Sequence, residues 1–329
     1  MNIPVENRGD YSPTAVHRLT VPEGAAGRRL DQILAELLPA HSRNRLQSWV
    51  REGRVSVDGK GECEAKRKLR GGEILVVAEL ADERVGAEAA EDIPLAIVFE
   101  DDCLLVIDKP AGLVVHPGSG NWSGTLMNAL LHHAPAVAQI PRAGIVHRLD
   151  KETSGLLVVA KTPAAQTDLV RQLQARTVKR QYLALAAGGI DRNGKVEAPI
   201  GRHPVQRTRM AVVAEASGGK PALTRYRVVE RFPHCTLVEC SLETGRTHQI
   251  RVHMAALGHP LVGDPVYGRS TPKLPAFHRQ ALHAARLGLV HPVSRQALQW
   301  EAPLPGDFAA LLEALRGARV ELADDGVRL

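Results

Sequence analysis

The chain has 329 residues, 44% of them hydrophobic, which is enough for about two domains with buried cores. Aromatic residues make up 3%, so any core must be aliphatic, and a net charge of +6 permits a polyanionic partner without establishing one. The four cysteines form no CxxC pair, which argues against a zinc ribbon or a redox motif. No stretch of about 18 apolar residues and no apolar N-terminus is present, so the protein is predicted to be cytoplasmic, without a membrane span.

Charged residues are grouped along the chain. The segment 28–72 is rich in Lys and Arg, the segment 79–102 is acidic, and a second basic group follows at Arg171, Arg176, Lys179 and Arg180. Such grouping is expected when one segment faces phosphate groups and another only remains solvated. The basic segments are therefore the candidate contacts to a polyanion.

The N-terminal part of the chain predicts a flexible arm and a small α/β domain. Residues 1–15 are polar and contain Gly and Pro, which is typical of a loose arm. Hydrophobic spacing and the positions of Gly and Pro then predict two short helices and a hairpin-rich sheet over residues 16–80. These elements are placed at 29–38, at 43–52 with Ser42 as N-cap, at 54–57 and at 73–77, with a turn at Asp58-Gly59.

The second of these helices is basic and carries Arg43, Arg45 and Arg51 near Trp49. The region resembles the S4 RNA-binding domain in the order of its elements and in the segments 29–31 (RLD), 42–43 (SR) and 53–59 (GRVSVDG). The resemblance implies a basic helix pair that lies on structured RNA, with Arg43 and Arg45 as RNA contacts. A dimerisation or regulatory domain with a solvated helix face is the alternative.

A larger domain is predicted after an acidic, alanine-rich linker at 81–92. It spans 93–318 and is followed by a tail at 319–329. Strand-like and helical stretches occur in it without strict alternation, which favours an α+β fold around an antiparallel or mixed sheet. The predicted strands are 95–99, 104–107, 155–161, 181–187, 223–229, 236–243 and 282–290. The predicted helices are 125–132, 163–176, 247–257 and 307–316.

The segment 144–155 (GIVHRLDKETSG) is unusually polar for its position between two apolar runs. It predicts a strand, a charged turn and a second strand that returns into the core. Polar groups held in this way lie on a rigid platform, where catalytic residues work well. A charged hairpin tip without a function is the alternative.

A second unusual segment is 243–253 (ETGRTHQIRVH). Thr247 is predicted to cap a helix on which Arg251 lies beside a core-facing apolar stripe. An unpaired buried charge is costly, so Arg251 is expected to have a buried carboxylate partner. His248 and His253 are five residues apart and do not share a helix face, so no metal site is predicted.

Five ordered segments resemble the RluA family of pseudouridine synthases, namely 108–112 (DKPAG), 147–155 (HRLDKETSG), 176–182 (RTVKRQY), 245–253 (GRTHQIRVH) and 259–268 (HPLVGDPVYG). With the S4-like domain, the resemblance covers nearly the whole chain. It implies a pseudouridine synthase catalytic domain that isomerises uridine within RNA. The bond from C1′ to N1 breaks and C1′ rejoins the base at C5, without redox change or hydrolysis, so no cofactor is implied.

The resemblance also implies roles for individual residues. Asp150 is the essential carboxylate, and Arg251 pairs with it and keeps it ionised and oriented. Tyr182 stacks on the target base and can take part in proton transfer at C5. Arg148 fills the gap that the uridine leaves in its stack. A carboxylate can either attack C1′ or remove a sugar proton, and both roles stay open for Asp150.

Further RNA contacts are predicted around this centre. His147 and Arg246 belong to the matched motifs and complete the substrate-binding set. A phosphate-facing rim, which would make binding depend steeply on salt, is assigned to Arg171, Arg176, Lys179, Arg180, Arg202, Arg207 and Arg209.

Within the family, the stretches 93–95, 114–118, 141–146 and 258–268 resemble enzymes that modify the helix 69 stem-loop of 23S rRNA. This predicts 23S rRNA or a precursor of the large ribosomal subunit as the partner. The protein itself is predicted to be a monomer without an obligate protein partner. Other 23S sites and tRNA are the alternative targets. Alternatives of other classes are a non-catalytic RNA-binding factor for ribosome assembly and a glycosidase that releases free uracil.

Overall fold

The computed structural model describes residues 15–325 apart from 40, 42, 80–88, 119, 207, 208 and 270. The chain divides into two compact units, residues 1–86 and 87–329. The predicted N-terminal arm lies outside the described residues except for Ala15, and so does the predicted cap Ser42. No helix in the described ranges is both long and apolar enough to cross a membrane.

The first unit is a small antiparallel sheet with a helix pair. Its strands are β1 Ala15–Thr20, β2 Val55–Val57, β3 Lys60–Glu62 and β4 Ile74–Glu79, in the order β1-β4-β2-β3. Its helices are α1 Leu30–Leu37 and α2 Arg43–Arg51, close to the predicted bounds. Asp58 and Gly59 both have positive φ, as a two-residue hairpin turn requires, and this confirms the predicted turn.

Strand β1 is not predicted from the sequence, because none of its side chains is buried and its apolar residues do not alternate with polar ones. The core of the unit comes mainly from the helices. Leu30 and Leu34 of α1 and Leu46 and Val50 of α2 are fully buried against the sheet. The apolar stripe that predicts α1 is therefore the face that forms this core.

The second unit is built on a mixed sheet, as predicted. Its strands are β5 Ile97–Glu100, β6 Leu104–Lys109, β7 Ser154–Ala160, β8 Lys179–Ala187, β9 Gly194–Glu197, β10 Ile200–Arg202, β11 Met210–Val212, β12 Leu223–Phe232, β13 Cys235–Leu242, β14 Leu282–Val290 and β15 Ala297–Glu301. Its helices are α3 Leu126–His133, α4 Pro163–Gln174, α5 Gln249–Ala256 and α6 Gly306–Asp325. The strand order is β5-β6-β7-β14-β8-β13-β12-β9, with β15 beside β14, while β10 and β11 pair separately.

Strand β14 lies in the middle of this sheet. It runs parallel to β7, with His283 opposite Ser154, and antiparallel to β8, with His283 also opposite Leu183. The start of β7 therefore lies beside the start of β14 and, across it, beside the middle of β8. The candidate site is formed by the segment that precedes β7 together with β8 and the start of β14.

Helices cover both faces of the sheet. On one face, alternate residues of β6 and β7 pack with α3 and α5, and on the other face the remaining ones pack with α4. Helix α6 covers β8 and β13 through Phe308 and Leu312. Cys235 and Cys240 belong to cores on opposite faces, as their five-residue spacing predicts.

The segment before β7 differs from the prediction of two strands joined by a turn. Arg142, Ala143 and Gly144 have positive φ, and a Cβ on Gly144 would collide with the carbonyl oxygen of Ala160. The chain therefore turns sharply at these residues instead of continuing as a strand. Ile145 retains one isolated bridge to the strand β7, which itself begins only at Ser154.

Two other boundaries differ from those predicted. Glu91, placed in the linker, accepts hydrogen bonds from the backbone N–H of Gly124, and its own N–H donates to Asn128 at 3.0 Å. The last linker residues therefore lie on α3. Helix α6 continues past the predicted end at Arg316 to Asp325, because Gly317 does not interrupt it.

Candidate active site

A cleft with a volume of about 810 Å³ opens in the second unit. It is lined by the segment before β7, by β8, by the loop between β13 and α5, and by the first residues of α5 and β14. Its size falls within the range of ligand sites, roughly 300–1,000 Å³. The cleft brings together Asp150, Tyr182 and Arg251, the residues predicted to be catalytic.

Arg251 is held between two carboxylates. Its Nη1 donates to Oδ2 of Asp150 at 3.0 Å, while Nε and Nη2 donate to Asp264 at 2.7 and 2.9 Å. Burial opposes the charge on Arg251, but the hydrogen bonds and charges of Asp264 and Asp150 raise its pKa above the ordinary value. The sequence predicts a buried carboxylate partner for Arg251, and sequence reasoning missed that there are two.

Asp264 is the residue that fixes this arrangement. It is buried, and its Oδ1 also accepts hydrogen bonds from the backbone N–H groups of Val266 and Tyr267, at 2.8 and 3.0 Å. Burial opposes ionisation of Asp264, but these bonds and the guanidinium of Arg251 lower its pKa below the ordinary value. The side chain is therefore a fixed anion that orients Arg251 towards Asp150.

The loop that carries Asp150 is tied down by a buried lysine. Lys109, at the end of β6, donates from Nζ to the carbonyl oxygens of Pro110, Leu113 and Lys151, at 2.7, 2.9 and 3.0 Å. Burial lowers the pKa of Lys109 to about 8. Lys109 belongs to a matched motif, but its three carbonyl partners are supplied by tertiary structure and have no signal in the sequence.

Tyr182 lies on β8, and only 6% of its surface is exposed. Its ring packs in the same core as Leu149 and Leu282, which also line the cleft. Burial raises the pKa of Tyr182, with Arg180 opposing the shift and Asp150 adding to it. The phenol is therefore protonated at neutral pH and faces a cleft that holds a carboxylate.

The loop before α5 is organised differently from the prediction. The helix begins at Gln249, and the capping position is His248, with a φ of 56° and no capping bond from its side chain, so the predicted cap at Thr247 is wrong. Buried Gln249 instead connects the preceding loop to the start of the helix, since its Oε1 accepts from the backbone N–H of Arg246 and from the hydroxyl of Thr244.

The left-handed conformation of His248 places its ring at the site. Its Nε2 lies 3.9 Å from Oδ1 of Asp150, and its Nδ1 lies 2.9 Å from the hydroxyl of Tyr267. His253 instead contacts Thr224 and Ala198 in the core. Sequence reasoning considered these two histidines only as metal ligands. It missed that His248 lies beside Asp150, and it assigned no role to Tyr267.

The predicted basic contacts divide into several environments. Arg148, Arg176 and Arg246 are exposed and line the cleft. Arg171 and Lys179 are exposed but do not line it. Arg202 and Arg209 lie near the β10–β11 pair, where Arg209 stacks on Tyr267, and Arg207 lies outside the described residues.

Two predicted contacts occupy other positions than expected. Arg180, assigned to the exposed rim, lies on β8 with 7% of its surface exposed and lines the cleft wall. His147 accepts a hydrogen bond from the backbone N–H of Val158 at Nε2, at 3.2 Å. Burial lowers the pKa of His147 to about 3, and the charge of Arg180 adds to this, so the ring is neutral and supports β7.

In the first unit, the predicted RNA contact Arg43 has a structural partner. The fully buried Asp31 accepts hydrogen bonds from Arg29, from Gln47 at 2.6 Å, and from Arg43 at 3.0 and 2.8 Å. Burial opposes ionisation of Asp31, but the bonds from Gln47 and Arg43 lower its pKa. Arg43 therefore connects α2 to α1, whereas Arg45 stacks on Trp49 with its guanidinium 5.2 Å from the ring centre.

Comparison with known proteins agrees with this fold. Residues 103–256 match the family model described as RNA pseudouridylate synthase, and residues 28–75 match the S4 domain. The chain belongs to the RNA pseudouridine synthase family, a class of RNA-modifying isomerases, and carries an S4 domain in front of the catalytic unit.

Several curated relatives carry the name ribosomal large subunit pseudouridine synthase D, among them those of the following three organisms. The protein of Nitrosomonas europaea is 61% identical over 307 residues, which cover 91% of this chain and 87% of that protein. The relative in Pseudomonas aeruginosa is 54% identical over 310 residues, with coverages of 91% and 95%. That of Neisseria meningitidis serogroup B is 51% identical over 336 residues, with coverages of 96% and 88%.

Solved structures also match. Human RNA pseudouridylate synthase domain containing 1 is 29% identical, with a TM-score of 0.52, over 70% of this chain and 97% of that one. Human RNA pseudouridylate synthase domain containing 4 is 26% identical, with a TM-score of 0.53, over 71% and 97%. The predicted combination of an S4-like domain and a pseudouridine synthase domain is thereby confirmed.

Proposed function

We propose that this protein converts uridine to pseudouridine in 23S rRNA of the large ribosomal subunit, with the helix 69 stem-loop as its target. The proposal is supported by the names of the relatives, which are 51–61% identical to this chain over the aligned residues. The resemblance of four sequence stretches to helix 69 enzymes supports the finer target. A cytoplasmic location is proposed as well, because ribosomal RNA is the proposed substrate.

The observation that carries the chemistry is the accessible carboxylate of Asp150 in the cleft. Its side chain is 17% exposed, and its Oδ2 is paired with Arg251. The hydrogen bond from Arg251 fixes the orientation of this carboxylate, and a carboxylate can either attack C1′ or remove a sugar proton. Asp150 is therefore proposed as the group that acts on the ribose.

The target nucleotide must leave its stack to reach Asp150, and this costs a few kcal/mol in a duplex. Arg148 is exposed at the cleft, two residues before Asp150. A uridine that enters the cleft therefore leaves its stack beside Arg148, whose planar guanidinium can replace part of the lost stacking. The ring of Tyr182 is proposed to stack on the base, and its protonated phenol is positioned to serve proton transfer at C5.

All of these groups come from a single chain, so a monomer is sufficient for the proposed reaction. Three other groups hold the reacting residues in place without a proposed chemical role. Asp264 orients Arg251, Lys109 holds the loop after Asp150, and Gln249 organises the entry to α5.

Mapping of pseudouridine in rRNA tests this proposal. Cells that lack the gene are complemented with wild type, with Asp150→Asn, or with Asp102→Asn as an exposed control of matched charge. Loss of pseudouridine in helix 69, restored by wild type and the control but not by Asp150→Asn, is expected. Restoration at other uridines only would reject the helix 69 target, and full restoration by Asp150→Asn would reject the proposed role of Asp150.

A further inference from the structure

Arg180 is a buried cation in the cleft wall. It lies on β8, two residues before Tyr182, with 7% of its surface exposed. Its guanidinium lies against Gly245, where a Cβ would come within 2.7 Å of Nη1. The Nε atom is closed off from solvent and has no hydrogen-bond partner among the described residues.

The carboxylates of the cleft do not neutralise Arg180. Asp150 is paired with Arg251, and Glu243 accepts from Arg225 at 2.7 Å and lies 3.9 Å from Arg176. The uncharged groups near Arg180 are His147, which accepts a backbone hydrogen bond, and the phenol of Tyr182. An unpaired buried cation is costly unless another group compensates it. A partner from outside the described protein residues is therefore expected.

We propose that Arg180 binds a backbone phosphate of the nucleotide that enters the cleft, and so sets how deeply the ribose reaches towards Asp150. The inference rests on the assignment to RNA pseudouridine synthases, but not on helix 69 as the target. A phosphate carries the negative charge that would compensate Arg180, whereas the hydrogen-bond acceptors of uracil are neutral carbonyl groups. The planar fork of arginine also matches two phosphate oxygens.

The position of Arg180 suits this role. Arg180 and Tyr182 both line the cleft, and two residues of an extended strand span about 7 Å. A nucleotide whose base stacks on Tyr182 can therefore present its phosphate to Arg180. Gly245 leaves the space that the guanidinium fills, so the loop before α5 and strand β8 form this subsite together.

The experiment uses full-length protein and an RNA stem-loop around the uridine that wild type modifies in rRNA of the deletion strain. That uridine is mapped first, whichever RNA position it occupies. The assignment to helix 69 can therefore be wrong without affecting the test of Arg180. The RNA is made with an ordinary phosphate or with a neutral methylphosphonate, either on the 5′ or on the 3′ side of the target uridine. Wild type is compared with Arg180→Met, Arg180→Lys and the exposed control Arg192→Met.

Loss of a charged hydrogen bond is expected to lower kcat/KM of Arg180→Met about 10- to 100-fold, with partial rescue in Arg180→Lys. One methylphosphonate should lower wild-type and Arg192→Met activity by a similar factor, but leave Arg180→Met unchanged, because the contact is already gone. The slope of the logarithm of the RNA-binding constant against the logarithm of salt concentration should be less steep by about 0.7–0.9 in Arg180→Met.

Thermal unfolding separates this role from a structural one. Arg180→Met removes an uncompensated buried charge and keeps an apolar side chain of similar length, so its Tm should equal or exceed that of wild type. A lowered Tm with unchanged kcat/KM would overturn the proposal. The proposal would also be overturned if each methylphosphonate lowered kcat/KM of Arg180→Met by the same factor as it lowers that of wild type. Arg180 would then contact another part of the RNA.

Discussion

Asp150 and Asp264 accept hydrogen bonds from the same guanidinium, although one precedes β7 and the other follows α5. Asp264 accepts hydrogen bonds from Nε and Nη2 of Arg251, so Nη1 is the atom that donates to Asp150. The orientation of the proposed reactive carboxylate therefore depends on a second carboxylate that does not line the cleft.

Substitution of Asp264 by Asn tests this dependence. The variant keeps the shape of the side chain but removes its charge, so Arg251 is expected to shift towards Asp150 and change its geometry. Breaking a buried ion pair should lower the free energy of unfolding by about 3 kcal/mol. Single-turnover assays should show a lower rate with little change in RNA affinity, whereas a wild-type rate would contradict the orienting role.

Lys109→Met tests the support of the loop that carries Asp150. Three carbonyl oxygens lose their shared donor, so the free energy of unfolding is expected to fall by about 3 kcal/mol. The rate of pseudouridine formation should fall as well, because the loop loses its anchor. Urea unfolding provides the measurement, and Lys195→Met, on the exposed surface of β9, is the control expected to change stability by less than about 0.5 kcal/mol.

His147 makes stability depend on pH in a defined direction. The pKa of its folded form is about 3, against an ordinary value of 6.5, so between these values the unfolded chain binds a proton that the folded chain does not. Stability is therefore present above pH 6.5 and is lost on acidification, by about 1.4 kcal/mol per pH unit from this residue, until the pH reaches the folded value.

Comparison with His147→Gln isolates this contribution. Glutamine can accept the hydrogen bond from Val158 but does not titrate, so its loss of stability between pH 7 and pH 5 should be smaller than that of wild type. Urea unfolding at the two pH values measures the difference. Equal losses in both proteins would show that His147 is protonated in the folded state.

Arg43→Ala distinguishes a structural from an RNA-binding role in the first unit. The substitution takes two hydrogen bonds from the buried carboxylate of Asp31, so the unit should lose about 2 kcal/mol of stability. Arg45→Ala should leave stability nearly unchanged and weaken RNA binding in a salt-dependent way. Thermal unfolding and RNA titration at two salt concentrations measure both effects. The reverse pattern would assign the RNA contact to Arg43.

The elements that the sequence predicts well are those with a strong local pattern. Strand β14 has the predicted bounds because it is long and mostly apolar, and α4 begins at the predicted Pro163. Strands β9, β10, β11 and β15 are short or carry exposed side chains, so they offer no comparable pattern. The family motifs identified Asp150, Tyr182 and Arg251 as candidate site residues. They do not predict the distances between these side chains.

The missed features depend on partners that are distant in the sequence. Arg180 resembles its exposed basic neighbours in the sequence, and only the packing of Gly245 against β8 shows that it is buried. Thr247 satisfies the local rule for a helix cap, yet the chain enters α5 through left-handed His248, and Gln249 is held by Leu223 and Thr224 of β12. Asp264 follows α5 in a loop, where no periodicity marks a side chain as buried.

The left-handed turn at residues 142–144 has a consequence for how the enzyme meets its substrate. A left-handed conformation costs roughly 1–2 kcal/mol at each residue other than glycine, here Arg142 and Ala143. That cost falls on the folding of the chain, before any RNA is present, and Gly144 passes too close to the carbonyl of Ala160 to carry a side chain. The approach to Asp150 is thus shaped in advance, and RNA binding energy remains available for extracting the nucleotide from its stack.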